Sequence, residues 1–409
     1  MKSLNSLIYK PRLLSLALAL LFVFTISCSD DENPGTEAPP ENALVNATLV
    51  FSASSAQAKL VAQLAGLNID ISEFVNDVDI YKVSYNTVYK GEGIVASGLI
   101  SLPKTGEAVP MISYQHGTIT RDTDAPSNFA VNKPEALIAS ALSSSGFIAV
   151  IPDYLGFGSS ATILHPYFVE DLTASAVVDM LKAAEELAGE KNITFNSKLF
   201  LAGYSEGGYA TMATHKALEE NPLEGFDLVA SFPGAGAYDL AGLQSTLLQA
   251  ETYDDPYYLA YLVTGYQLVY DLPNFLTDFF QEPYASRIPG LFDHQKGPGE
   301  IDEALTTNIQ DLIQPNLAAD ITSNPSYAYI AQAFEENTLT DWTPTRKMYM
   351  YHGLSDKTVP YENSVNTYNG LLARGASDDV ISLTPLPGDH ISAVTPYIAD
   401  FLAKLRSLR

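Results

Sequence analysis

The stretch LFLAGYSEGG, Leu199 to Gly208, puts a Gly-x-Ser-x-Gly pattern (Gly203, Ser205, Gly207) at the end of an apolar run. The pattern calls for a strand, a sharp turn and a helix, because its serine sits at a strained junction with room only for small neighbours. The flanks agree with this. Lys198 to Ala202 is a short β-capable run, and in Tyr209 to Leu218 the residues Ala210, Met212, Ala213 and Leu218 are spaced to bury one helical face.

A serine hydroxyl is a poor nucleophile at neutral pH, so it needs a histidine base and an acid that orients the imidazole. In a strand-and-elbow architecture the order is Ser, acid, His. Downstream, KMYMYHGLSDKTVP and VISLTPLPGDHISA each run from an apolar stretch into a polar loop that carries a candidate. The expected catalytic residues are Ser205, Asp356 and His390. Asp239, after the strand-like run Leu228 to Phe232, is the rival acid, and Asp389 reads as a solvated loop charge. His215 falls in the helix after the elbow, His294 in an insertion, and His352 at the end of a strand; none has the setting of His390.

An oxyanion needs two preorganised N–H donors, one from the residue after the nucleophile and one from a loop at a strand end. Glu206 supplies the first amide. The run VPMISYQHGT points to Thr118 for the second, with Gln115 and His116 shaping the loop. GFGSSA, Gly156 to Ala161, loosely matches a dinucleotide fingerprint, but ATILHPYF follows it where a helix should open, so the glycines read as a bend near the rim of the site. No cofactor is implied. No cluster has zinc spacing, so no metal is expected either.

Four segments carry a resemblance: SYQHGT, VIPDYLGFGSS with HPY (His165 to Tyr167), GYSEGG, and HGLSDKTVP with GDH. Together they resemble the α/β-hydrolase superfamily and, within it, carboxylic ester hydrolases of the secretory-lipase type. The resemblance implies an α/β fold with a mostly parallel, eight-stranded-type sheet between helices and an inserted, mainly helical cap. It also implies a serine esterase or lipase that forms an acyl-enzyme on small-molecule esters with an apolar acyl or aryl group. A serine peptidase of the prolyl-oligopeptidase type shares the triad order, but would be expected to carry a propeller repeat, which this chain lacks. A non-catalytic surface binding protein is the third reading, and it has no need of an ordered Ser, Asp and His.

The first 27 residues combine a basic start (Lys2, Lys10, Arg12) with an apolar run from Leu13 to Phe24, too short to span a bilayer, as a signal peptide does. Cys28, the only cysteine, follows directly and is the expected lipidation site, since an exported chain has no disulfide use for a single cysteine. Residues 28–41 are acidic and proline-rich, a solvated tether resembling the export segments of bacterial surface lipoproteins. The expected location is the outer face of the outer membrane, with the periplasm as the alternative. Removing the three N-terminal cations moves the formal charge from −26 to −29. Such a charge disfavours nucleic acid and anionic membranes, leaving the lipid as the membrane attachment.

The catalytic segments divide the rest into core 42–235, cap insertion 236–340 and core 341–409. Between Tyr253 and Tyr284 ten of 32 residues are Tyr or Phe, which read first as the apolar wall of a pocket over Ser205 and second as an ordinary helical core. Upstream, VDIYKVSYNTVY and IVASGLISLP alternate like antiparallel strands, and Gln57 to Leu67 reads as a short helix.

Overall fold

The period-two stretches form the antiparallel start of the sheet. In the computed structural model, which describes residues 42–409 apart from 65–69, 316, 318–320 and 322, β2 (Val78–Tyr89) pairs with β3 (Glu92–Pro103) from Val78↔Pro103 to Tyr89↔Glu92. The hairpin turns at Lys90 and Gly91, both at positive φ. An additional edge strand, β1 (Leu44–Ala53), lies antiparallel on β2. The helix α1 spans Ser55–Leu64, and the expected continuation to Leu67 lies outside the described residues.

The continuous apolar runs become parallel strands, because such strands are covered on both faces. These are β4 (Val109–Gln115), β5 (Ile148–Pro152), β6 (Phe195–Tyr204), β7 (Asp227–Gly234), β8 (Lys347–Gly353) and β9 (Ile381–Leu386). The order is β1-β2-β3-β5-β4-β6-β7-β8-β9. The sheet is the expected eight-stranded type with one strand more, β1, an edge strand of mixed polarity with no clean alternation. All residues of β4 and β5 are buried. On one face, α2 (Pro134–Ser144) and the C-terminal helix Val394–Leu408 share a core with Phe200, Phe232 and Tyr351. On the other, α3 (Glu170–Glu190) buries Met180 and Leu187 against Val83, Ile100 and Leu199. This is the α/β-hydrolase architecture.

Between β7 and β8 the chain is mainly helical, with α5 (Leu240–Leu248), α6 (Tyr257–Val269), Phe275–Phe279 and Ala328–Glu335. Here the aromatic expectation needs correction: most of the ten rings between Tyr253 and Tyr284 are core, and only Tyr253 and Tyr258 face the cleft described below. Phe275, Phe279 and Tyr266 pack with Phe334, and Tyr261 stacks between Tyr167 and Phe292 at 4.7 and 4.5 Å. A helix that is apolar nearly all round buries most of its faces, so aromatic density alone does not mark a pocket wall. No helix among the described residues is long and apolar enough to cross a membrane. The expected signal segment, the expected lipidation site Cys28 and the expected tether lie outside those residues.

Candidate active site

The apolar strand β6 delivers the chain to Ser205, where φ is 61° and ψ −124°, and α4 (Glu206–Glu220) begins at the next residue. A non-glycine residue held there costs on the order of 1–3 kcal/mol, which the surrounding structure must hold in place. The Ser205 amide donates to the Gly234 carbonyl at 2.8 Å, securing the turn to β7. The turn leaves no room for side chains beside it: one on Gly203 would run into the Gly207 carbonyl, and one on Gly207 into the Gln115 carbonyl.

Ser205, Asp356 and His390 are brought together. His390 Nε2 stands 2.8 Å from Ser205 Oγ and its Nδ1 2.6 Å from Asp356 Oδ2. Burial raises the pKa of the Asp356 carboxyl, but hydrogen bonds from His352 and His390 outweigh it and hold the group below its ordinary value. An ionised carboxylate only accepts, so Nδ1 carries the proton and Nε2 is free to accept from the serine hydroxyl. Asp356 Oδ1 also accepts from the Val359 amide at 2.9 Å. The Tyr204 hydroxyl donates to the His390 carbonyl at 2.8 Å, fixing the histidine loop over the elbow.

Sequence reasoning passed over His352 as a partner of the acid. Its Nε2 lies 2.8 Å from the Val359 carbonyl and 3.2 Å from Asp356 Oδ2, while Ser364 Oγ bonds its Nδ1 at 2.6 Å. The carbonyl requires N–H at Nε2, so that proton also faces the carboxylate. The four-residue spacing in HGLSD was the available signal. Asp239 is elsewhere, its carboxylate capping α5 through the Gly242 amide at 2.8 Å. Asp389 accepts from Ser392 in its own turn.

On the side expected to hold the oxyanion, Gly117 approaches Ser205: a Cβ built on it would lie 3.8 Å from Ser205 Cβ. Thr118 follows, its hydroxyl 2.8 Å from that of Tyr167. The Gln115 amide bonds the Thr211 hydroxyl of α4 at 2.8 Å, tying β4 to the elbow helix. Tyr154 donates to the His116 carbonyl at 3.0 Å. Glu206, expected to contribute its amide, also has a buried carboxylate 2.7 Å from His165 Nε2. His165 Nδ1 lies 2.7 Å from the Leu155 carbonyl.

The glycine-rich bend brings that histidine into place. Gly156 and Gly158 are at positive φ, and a side chain on Gly156 would strike the His165 backbone. Beneath the bend, Asp153 accepts from the Ser127 amide and the Ser97 hydroxyl, both at 2.7 Å. Burial pushes its carboxyl above the ordinary range against those bonds. The remaining histidines lie away from Ser205. His215 bonds Ser231 and Glu219, and Glu219 in turn accepts from the Thr345 and Arg346 amides ahead of β8. His294 packs edge-on against Phe157.

Ser205 opens onto an apolar cleft of about 520 Å³, counting the part open to solvent, with walls that include Phe168, Leu240, Leu247, Tyr258, Leu262 and Phe334. Among the described residues, no group of three or more His, Cys, Asp or Glu is placed to hold a metal ion.

A family model described as secretory lipase matches residues 123–247, a segment that contains the elbow. Lipase 6 of Candida albicans is 23% identical over 301 residues, covering 65% of this chain and 58% of that protein, so the match spans little more than half of the curated relative. A hydrolase candidate from Legionella pneumophila is 28% identical, with a TM-score of 0.77 over 89% of this chain and 98% of its own. The ligand-bound rice cell wall degrading esterase LipA of Xanthomonas oryzae superposes with a TM-score of 0.78 at 23% identity, over 91% of this chain and 100% of its own. The chain has the α/β-hydrolase fold of these structures.

Proposed function

We propose that the protein is a serine carboxylic ester hydrolase that works through an acyl-enzyme, on small-molecule esters with an apolar acyl or aryl group. The observation that carries this is the hydrogen-bonded chain from Ser205 through His390 to Asp356, standing at the mouth of an apolar cleft. His390 takes the serine proton as Oγ attacks the ester carbonyl, then passes it to the leaving alcohol. Water repeats the sequence to release the acid. Asp356 keeps the imidazole in the productive tautomer, and the Glu206 and Thr118 amides stabilise the oxyanion. The Glu206–His165 pair anchors the first of those donors, and His352 steadies the acid. The lipase and esterase relatives agree with ester chemistry.

The reading is tested with p-nitrophenyl esters and peptide anilides on the purified protein and on Ser205→Ala. Ester turnover lost in the variant, with anilides inert, is expected; anilide cleavage outpacing ester cleavage would favour the peptidase reading. We also propose export as a lipoprotein anchored through Cys28, supported by the basic and apolar N-terminus that precedes it.

A further inference from the structure

One position breaks the apolar stripe of α5. Its buried residues are Leu240, Gln244, Leu247 and Leu248, spaced as one helical face, so an aliphatic side chain is expected where Gln244 stands. Gln244 is 5% exposed and lies on the wall of the cleft that opens at Ser205. Its Nε2 has no hydrogen-bond partner among the described residues. Other polar groups on the cleft lining are engaged: the Tyr253 hydroxyl donates to the Thr358 carbonyl at 3.2 Å, the Thr358 hydroxyl to Asp255 at 3.2 Å, the Tyr167 hydroxyl bonds Thr118 at 2.8 Å, and the Tyr258 hydroxyl bonds that of Tyr257. A buried amide without a partner is unfavourable, and Leu or Met would fill the same space without that cost. The nitrogen itself is closed off where it stands, so the amide is accounted for if its plane turns over in the presence of a cleft ligand that supplies the partner.

We propose that Gln244 is a specificity-determining residue that reads a hydroxyl on the acyl group, making esters of hydroxylated apolar acids the preferred substrates; this rests on the ester-hydrolase reading above. A hydroxyl both donates and accepts, so it satisfies the amide whichever end faces the cleft. The acyl group remains on Ser205 through both halves of the reaction, whereas the alcohol leaves before water attacks. The apolar cleft at Ser205 therefore suits the acyl half. No Lys, Arg or His lines the cleft among the described residues, so a neutral substituent fits it better than a carboxylate.

The test uses p-nitrophenyl octanoate, the positional isomers of p-nitrophenyl hydroxyoctanoate with spontaneous lactonisation subtracted, and octanoate esters with the hydroxyl in the alcohol half. Wild type is compared with Gln244→Leu and with Gln244→Met, which keeps the side-chain length. Wild type should prefer one hydroxyoctanoate isomer over its neighbours by about tenfold in kcat/KM, as expected of one added neutral hydrogen bond. Both variants should bring that ratio close to one, with Tm unchanged or raised. A flat isomer series, a preference that survives both substitutions, or a fall in Tm with the ratio intact would overturn the role of Gln244. A preference confined to the alcohol half would overturn the acyl assignment. Wild type without turnover on the parent octanoate would remove the ester-hydrolase reading itself, whereas normal turnover with a flat series removes only the inference about Gln244.

Discussion

His165 Nε2 and Glu206 Oε1 stand 2.7 Å apart, Glu206 being the residue that follows Ser205, and neither side chain is more than 3% exposed. The Leu155 carbonyl can only accept, so His165 Nδ1 carries a proton and the contact with Glu206 holds one more, on the imidazole or on the carboxyl. Removing one partner leaves the other buried and uncompensated. His165→Ala should therefore destabilise the protein by about 3–5 kcal/mol in denaturant unfolding. It should also lower kcat by up to about 10²-fold as the Glu206 amide shifts. His165→Leu combined with Glu206→Met should recover most of the stability but not the rate; recovery of both would reduce the pair to packing.

Asp356→Asn should lower kcat on the order of 10³-fold, because the amide no longer selects the tautomer that leaves Nε2 free. Asp239→Asn should stay within a few-fold of wild type, since asparagine caps a helix about as well as aspartate. If Asp239→Asn proves the more damaging in steady-state kinetics, the acid is misassigned.

The depressed Asp356 carboxyl also makes a pH prediction. A group whose pKa is lowered on folding lends stability that is fully present above its unfolded value, about 3.9, and lost as pH falls through the lower folded one. Unfolding free energies measured from pH 5 downward should therefore fall less steeply below pH ~4 in Asp356→Asn than in wild type. Identical slopes would mean that the carboxylate gains nothing from its two histidines.

Two aromatics of the inserted segment separate wall from core. Tyr258→Ala, on the cleft, should change the kcat/KM ratio between short and longer acyl esters by about tenfold, through lost burial of the substrate. Phe279→Ala, enclosed by Phe275, Phe280 and Phe334, should leave that ratio alone and cost about 3–5 kcal/mol of stability. Paired chain-length profiles and unfolding curves check both.

Cys28→Ala should shift the protein from the membrane fraction to the soluble one, because a covalent lipid is the hydrophobic attachment the proposal provides. Unchanged fractionation would remove the lipoprotein proposal.

Features written in contiguous residues were legible in the sequence. The elbow and the buried parallel strands follow from local chemistry, as do the acid and histidine loops at strand ends. What escaped depends on distance or on ambiguous local pattern. The separation of 41 positions from His165 to Glu206 hides a contact made only when the Gly156–Gly158 bend folds back. The edge strand β1 mixes polar and apolar residues without regular alternation. The ten aromatics signalled burial correctly, but the side on which each ring is buried is decided by tertiary packing. His352 stands four residues before Asp356, but its local pattern marks only the end of a strand, and its contact with the carboxylate depends on how the loop folds.

The most direct test of the account is covalent capture of the nucleophile. The purified protein is treated with an alkyl p-nitrophenyl phosphonate and digested, and the adduct is located by mass spectrometry. Stoichiometric phosphonylation of Ser205, in step with loss of ester turnover and abolished in His390→Ala, is the predicted result. An adduct on another residue, or full inhibition with Ser205 unmodified, would contradict it.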